Sequence, residues 1–123
     1  MNLVDTTGWV EYFSDSKNAE FFSKVLEDTD NLITSTINVY EVFKLFLKHN
    51  EEAKALIAIA HMQLGHIVEV DINISIMAAK ISIDYKIPMA DSLLLATARS
   101  TNSILWTQDK HFKNIADVKY IEK

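Results

Sequence analysis

The sequence predicts an α/β fold, a three-layer α/β/α domain around a central, mainly parallel sheet of four to five short strands. The first observation is alternation: short apolar stretches such as NLITST and SILWT alternate with longer segments whose apolar residues recur at helical spacing. The second is that the short stretches are apolar nearly throughout, as strands covered on both faces are, whereas a half-solvated strand alternates apolar and polar residues. The third is size: 123 residues, 49% of them hydrophobic, support one core and one domain over residues 1–123. With two glycines, one proline and no internal repeat, nothing in the composition suits a long linker, a glycine-rich phosphate loop or a low-complexity tract.

Taken in order, residues 2–5 read as a short strand and Thr7 to Ser14 as one or two helical turns. Lys17 to Asp28 reads as an amphipathic helix with Phe21, Phe22, Val25 and Leu26 on one side. NLITST is a second buried strand, followed by a helix from Thr36 to about His49 and another over EEAKALIAIAHMQL that Gly65 ends. HIVEV is a strand, and INISIMAAKISIDYK a helix despite its isoleucines. Pro88, suited to a helix start, opens MADSLLLATARS. SILWT is a fourth strand, KHFKNI a short helix or turn, and VKYIE a last strand.

Composition narrows the function classes. There is no cysteine, which excludes disulfides, thiolate nucleophiles and cysteine zinc sites and suits a reducing compartment. The N-terminal MNLVDTTG lacks a charged segment followed by a cleavable apolar one, and no apolar run reaches the roughly 18 residues that span a bilayer. The expectation is a soluble, cytoplasmic protein with no membrane partner. A net charge of −5 argues against the broad basic surface of many nucleic-acid binders.

In an open parallel sheet, sites form beyond the carboxyl ends of the strands. Four acids are forecast there: Asp5 at the end of the first strand, Glu41 in the second turn of the helix after NLITST, Asp91 in the first turn after Pro88, and Asp109 just after SILWT. Each has a structural reading as well. Asp5 and Asp109 suit helix caps, Asp91 complements a helix dipole, and Glu41 falls in a polar stripe with Asn38, Lys44 and Lys48. Capping does not, however, require all four to gather at one rim. Carboxylates that share a site raise one another's pKa values, and a divalent cation relieves that conflict. Oxygen ligands without cysteine point to Mg²⁺ or Mn²⁺. His61 and His66 bracket a helix end away from this edge. His111 reads as an exposed loop histidine two residues from Asp109, with contact to substrate as the alternative. Trp9, Trp106, Met62, Met77 and Met89 read as core.

These residues resemble those of the PIN-domain ribonucleases, and among them the small VapC-type toxins of toxin–antitoxin pairs. LVDTTGWVEYF is similar to the opening strand that ends in Asp-Thr-Ser, INVYEVFKLF to the second motif, IPMADSLLLATA to the Ala-Asp helix, and ILWTQDKHF to the last strand with its threonine and acid. Thr7 stands where serine is usual, Gly8 loosens the start of the following helix, and His111 takes a place where another acid often appears. The resemblance implies a metal-dependent endoribonuclease that hydrolyses RNA through one or two Mg²⁺ or Mn²⁺ ions. Asp5 and Asp91 would be direct ligands, Glu41 and Asp109 would complete the site, and Thr6 and Thr107 would be supporting hydroxyls. It also implies a homodimer and a small antitoxin partner. Trp9, Phe13, Phe21 and Phe22 are the candidate apolar surplus for such a surface, with an ordinary monomer core as the alternative reading. Lys86, Arg99, Lys110, His111 and Lys113, with Lys119, are candidates to touch RNA at the rim. The competing readings are a non-catalytic interaction module of the same fold and a phosphoacceptor signalling domain. The second lacks the acidic pair at the first strand.

Overall fold

The computed structural model describes residues 1–123. Five strands, β1 (Asn2–Val4), β2 (Leu32–Ser35), β3 (His66–Val68), β4 (Ile104–Thr107) and β5 (Val118–Tyr120), form one sheet in the order β3-β2-β1-β4-β5. Every pairing is parallel, as the apolar strands predict. Parallel strands need crossovers, and six helices supply three of the four, the β4–β5 connection being made without one: α1 (Thr6–Phe13), α2 (Ala19–Leu26), α3 (Thr36–Lys48), α4 (Glu52–Met62), α5 (Ile72–Tyr85) and α6 (Met89–Ser100). Single 3₁₀ turns lie at Thr29–Asn31 and Lys110–Phe112. No helix is long and apolar enough to cross a membrane.

The sheet separates two cores because successive strand residues point to opposite faces. Leu3, Ile33 and Leu105 face Ile74, Ala78 and Ile81 of α5 and Leu94, Leu95 and Ala98 of α6. Val4 and Leu32 face Trp9, Phe22, Leu26, Val42, Phe46, Ala58 and Met62 on the other side. All four residues of β2 are buried, Leu32 and Ile33 in the two cores and the polar Thr34 and Ser35 with them. Edge strand β3 exposes His66 and Ile67.

Some elements depart from the expectations. The helix expected from Lys17 starts at Ala19, because Asn18 is buried and its amide is committed to Gln108 Oε1 (2.9 Å) and the Glu122 carbonyl (3.2 Å). Gly8 is a packing requirement: a Cβ there would lie 2.5 Å from Val4 Cγ1 and 2.7 Å from Phe22 Cε1. The apolar surplus is also elsewhere. Trp9 and Phe22 are fully buried, and Phe13 and Phe21 pack against the core they border. Exposed apolar side chains lie instead at Leu47, Leu56, Ile57 and Leu64 around α3 and α4, and at Ile72, Ile76, Ile83 and Met89 on α5 and α6. Met89, expected in the core, is 74% exposed.

Chain direction now places the acids. Strand order runs outward from β1 through β2 to β3 and then returns to β4 on the other side of β1, so the topology switches beside β1. The carboxyl ends of strands that diverge in this way frame a crevice. Because α6 runs back from the carboxyl edge to the start of β4, its first turn lies on that same edge.

Candidate metal centre

Asp5 follows the last residue of β1 and is the N-cap of α1, so the structural and chemical readings of this acid hold together. One oxygen, Oδ1, accepts from the Gly8 N–H at 3.0 Å and the Thr7 hydroxyl at 2.8 Å. The other, Oδ2, accepts from the Thr107 hydroxyl at 2.6 Å. The side chain is buried, and loss of solvent raises its pKa to about 6 against the pull of those three donors, with the Asp109 charge adding to the rise.

Thr107 ties two acids together. It is fully buried at the end of β4, donates to Asp5, and accepts the Asp109 backbone N–H at 2.9 Å. Thr6 does similar work across the crevice, donating to Glu41 Oε1 at 2.7 Å. Glu41 is half-buried, and Asn38, one turn earlier on α3, is fully buried. Asn38 accepts from the Ser35 N–H at 3.0 Å and donates to the Val4 carbonyl at 3.3 Å and to Thr6 Oγ1 at 3.4 Å. The polar stripe on α3 is therefore solvated only at Lys44 and Lys48, while its first two members point into the site. Asn38 went unassigned from sequence. Its signal was the spacing Ser35-x-x-Asn38, which closes a reciprocal capping box at the start of α3.

On the far side, Asp91 sits in the first turn of α6, and Asp109 caps the turn that follows β4. Burial raises the Asp91 pKa, the Asp109 charge raises it further, His111 lowers it and Glu41 raises it. His111 is drawn into the cluster. Its Nδ1 lies 2.8 Å from Asp91 Oδ2 and 3.3 Å from Asp109 Oδ1, and one ligand atom from each of the three residues falls within 4.8 Å of the others. The structure thus brings Asp5, Glu41, Asp91 and Asp109 into electrostatic contact at one edge. Carboxylates gathered at one edge, with burial first and the Asp109 charge after it raising the pKa of Asp5 and Asp91, and with oxygens and one imidazole as donors, fit a divalent cation.

The cationic candidates divide. Lys110 lines a polar cleft of about 250 Å³ with Thr7, Gln108, Asp109 and Tyr120 beside the acids. Lys113 pairs with Glu122 at 3.6 Å, and Lys119 lies over the Trp106 ring. Lys86, exposed, ends α5 in the left-handed region. Arg99 is not brought to the acids: it sits in the last turn of α6, bonds the Tyr85 hydroxyl, and lines a depression with Ser103 and Ile104 at the amino ends of the strands. His61 is held away from the edge, with Nε2 2.6 Å from the Leu26 carbonyl at the end of α2.

The sequence model of the PIN domain matches residues 3–118, nearly the whole sheet and all four acids. The chain belongs to the PIN domain family. Solved PIN structures share its fold. A toxin–antitoxin complex from Klebsiella pneumoniae has a chain 24% identical, with a TM-score of 0.79 over 96% of this chain and 95% of that one. VapC20 of Mycobacterium tuberculosis, a sarcin–ricin loop cleaving toxin, is 14% identical, with a TM-score of 0.79 over 94% and 95%. A DNA-bound VapBC from Salmonella typhimurium is 14% identical, with a TM-score of 0.77 over 99% and 98%. No curated protein matches this PIN domain by sequence.

Proposed function

We propose that this PIN domain is a metal-dependent endoribonuclease of the VapC toxin type, cleaving RNA phosphodiester bonds by hydrolysis. The observation that carries the reading is the convergence of Asp5, Glu41, Asp91 and Asp109 at the carboxyl edge, close enough for Asp109 to raise the pKa of both Asp5 and Asp91. Its similarity to toxins, one of them described as cleaving the sarcin–ricin loop, supports the same reading. Asp5 and Asp91 would hold Mg²⁺ or Mn²⁺ directly, and Glu41 and Asp109 would complete the site, directly or through water. When bound, the cation supplies Lewis acidity, activating water and stabilising charge on the phosphodiester. The chain's own work is to orient the acids: Thr107 and Thr7 hold Asp5, Thr6 holds Glu41, and the Thr107 hydroxyl anchors the backbone of Asp109.

The net charge of −5 is compatible with RNA binding because part of it lies in the cluster, where a cation offsets it. Lys110, Lys113 and Lys86 are the proposed phosphate contacts, and one short single-stranded loop demands no wide basic face. A small antitoxin is the proposed partner, in keeping with the toxin–antitoxin assemblies named above. Exposed Ile72, Ile76 and Met89 support a homodimer as its state.

The test is cleavage of a panel of structured RNAs, transfer RNA and ribosomal fragments included, in Mg²⁺ or Mn²⁺ against EDTA and Asp5→Asn. Cleavage abolished by both controls supports the nuclease. A folded, partner-free protein that neither cleaves nor binds Mn²⁺ is instead an interaction module.

A further inference from the structure

We propose that His111 is a nitrogen ligand of the metal centre and sets its preference for Mn²⁺ over Mg²⁺. This rests on the reading of the acidic edge as a metal site and extends it to the identity of the ion. The first support is placement. Nδ1 lies 2.8 Å from Asp91 Oδ2 and 3.3 Å from Asp109 Oδ1, and donor atoms of all three residues lie within 4.8 Å of one another. A cation held by the two carboxylates would therefore have an imidazole nitrogen within its reach.

The second support is anchoring. The His111 backbone N–H donates to Asp109 Oδ1 at 2.9 Å, and the Asp109 N–H is held by the buried Thr107 hydroxyl at 2.9 Å. Phe112, the next residue, is fully buried. The main chain carrying the imidazole is thus fixed on both sides, and the ring itself is 52% exposed, free to exchange its hydrogen bond to Asp91 for a bond to an ion. Ligation needs the tautomer protonated at Nε2, leaving the Nδ1 lone pair for the metal.

The third support is donor chemistry. Mg²⁺ favours hard oxygen donors in near-ideal octahedral geometry and gives up its waters reluctantly. Imidazole adds little for such an ion and more for first-row transition-metal dications, of which Mn²⁺ is the weakest binder but still accepts nitrogen more readily than Mg²⁺. Two carboxylates and one imidazole therefore discriminate among divalent ions in a way that an all-oxygen set does not.

The experiment titrates the intact protein with Mn²⁺, displaces it with Mg²⁺, and records pulsed electron paramagnetic resonance of the bound Mn²⁺. Wild type is expected to show ¹⁴N coupling to Mn²⁺. His111→Ala and His111→Asp, both checked for folding by thermal melt, are expected to lose it, with the ratio of Mn²⁺ to Mg²⁺ affinity falling by about tenfold or more. His111→Asp, which restores an oxygen donor, should keep Mg²⁺ binding. If Mn²⁺ binds and Asp91→Asn abolishes binding, yet wild type shows no ¹⁴N coupling, the imidazole is only a counter-ion to the acids and the proposal falls while the metal site stands. Coupling that survives in His111→Ala also overturns it. Failure of folded wild type to bind Mn²⁺ overturns both.

Discussion

The two halves of the acidic edge are built differently. Around Asp5 and Glu41, hydrogen bonds inside the protein hold the acids: Thr7, Gly8 and Thr107 donate to Asp5, Thr6 donates to Glu41, and Asn38 braces Thr6 from below. Around Asp91 and Asp109, side chains are partly exposed, and the partner they share is a histidine 52% exposed. The first half is a preorganised wall and the second is an open mouth. In the proposed reaction a rigid wall would hold geometry without reorganisation, and an open mouth would admit substrate and water. Both halves carry raised carboxylate pKa values led by burial, but only on Asp91 does a neighbouring imidazole oppose the rise.

The sharpest way to break this contrast is to remove a charge from the wall. Asp5→Asn is expected to lower RNA hydrolysis by at least about 10²-fold, the scale on which loss of one preorganised electrostatic group is felt. Steady-state kinetics on a cleaved RNA, with circular dichroism to show an intact fold, would check it. The same variant should not be less stable than wild type without metal at pH 8, since the buried negative charge is gone. Parity of the two proteins in kinetics would show that the wall plays no part in the chemistry.

The wall also makes stability depend on pH. The folded pKa of Asp5, about 6, lies above its ordinary value of 3.8, so between those values the folded protein binds more protons than the unfolded chain. Metal-free stability should therefore fall as pH rises from about 4 through about 6, by on the order of 3 kcal/mol from this group. Denaturant titrations in EDTA at pH 4.5 and 7.5 measure it, and Asp5→Asn should flatten the profile. Saturating Mn²⁺ should restore stability at the higher pH by binding the folded state alone.

A smaller effect is expected from the joint between wall and mouth. Thr107→Val keeps the shape but deletes the hydroxyl that serves both Asp5 and the Asp109 backbone. Metal affinity should fall about 10- to 100-fold, as it does when a supporting partner of a ligand is lost. Calorimetric titration with Mn²⁺ would show it, and an unchanged affinity would mean that the two halves are independent. The smallest expected effect is that of Arg99→Ala. Its side chain lies at the amino ends of the strands, so RNA cleavage should change less than about twofold, within the range of surface substitutions remote from a site. Lys110→Ala, beside Asp109, should weaken RNA binding more.

Much of this was legible in the amino-acid order because it depends on local pattern. The short stretches NLITST and SILWT became β2 and β4, Pro88 opened α6, and the direction of a parallel sheet put Asp5, Glu41, Asp91 and Asp109 on one edge. The PIN domain model matches residues 3–118 on the amino-acid order alone. What the tertiary structure decided are the relations between residues far apart in the chain. Thr107 and Asp5 are 102 residues apart, as bonded partners in a pattern never reveal; Gly8 is required by Phe22 across a helix packing; and Asn38 is buried because Val4 and Thr6 need its amide. Arg99 and Asp91 share one helix yet belong to opposite ends of the sheet, and His111, exposed in its 3₁₀ turn, meets Asp91 from across the crevice. Periodicity reports which face of an element is apolar. Which side chain meets which across the sheet follows only from the packing of the whole chain, where burial and hydrogen-bond satisfaction must be met together.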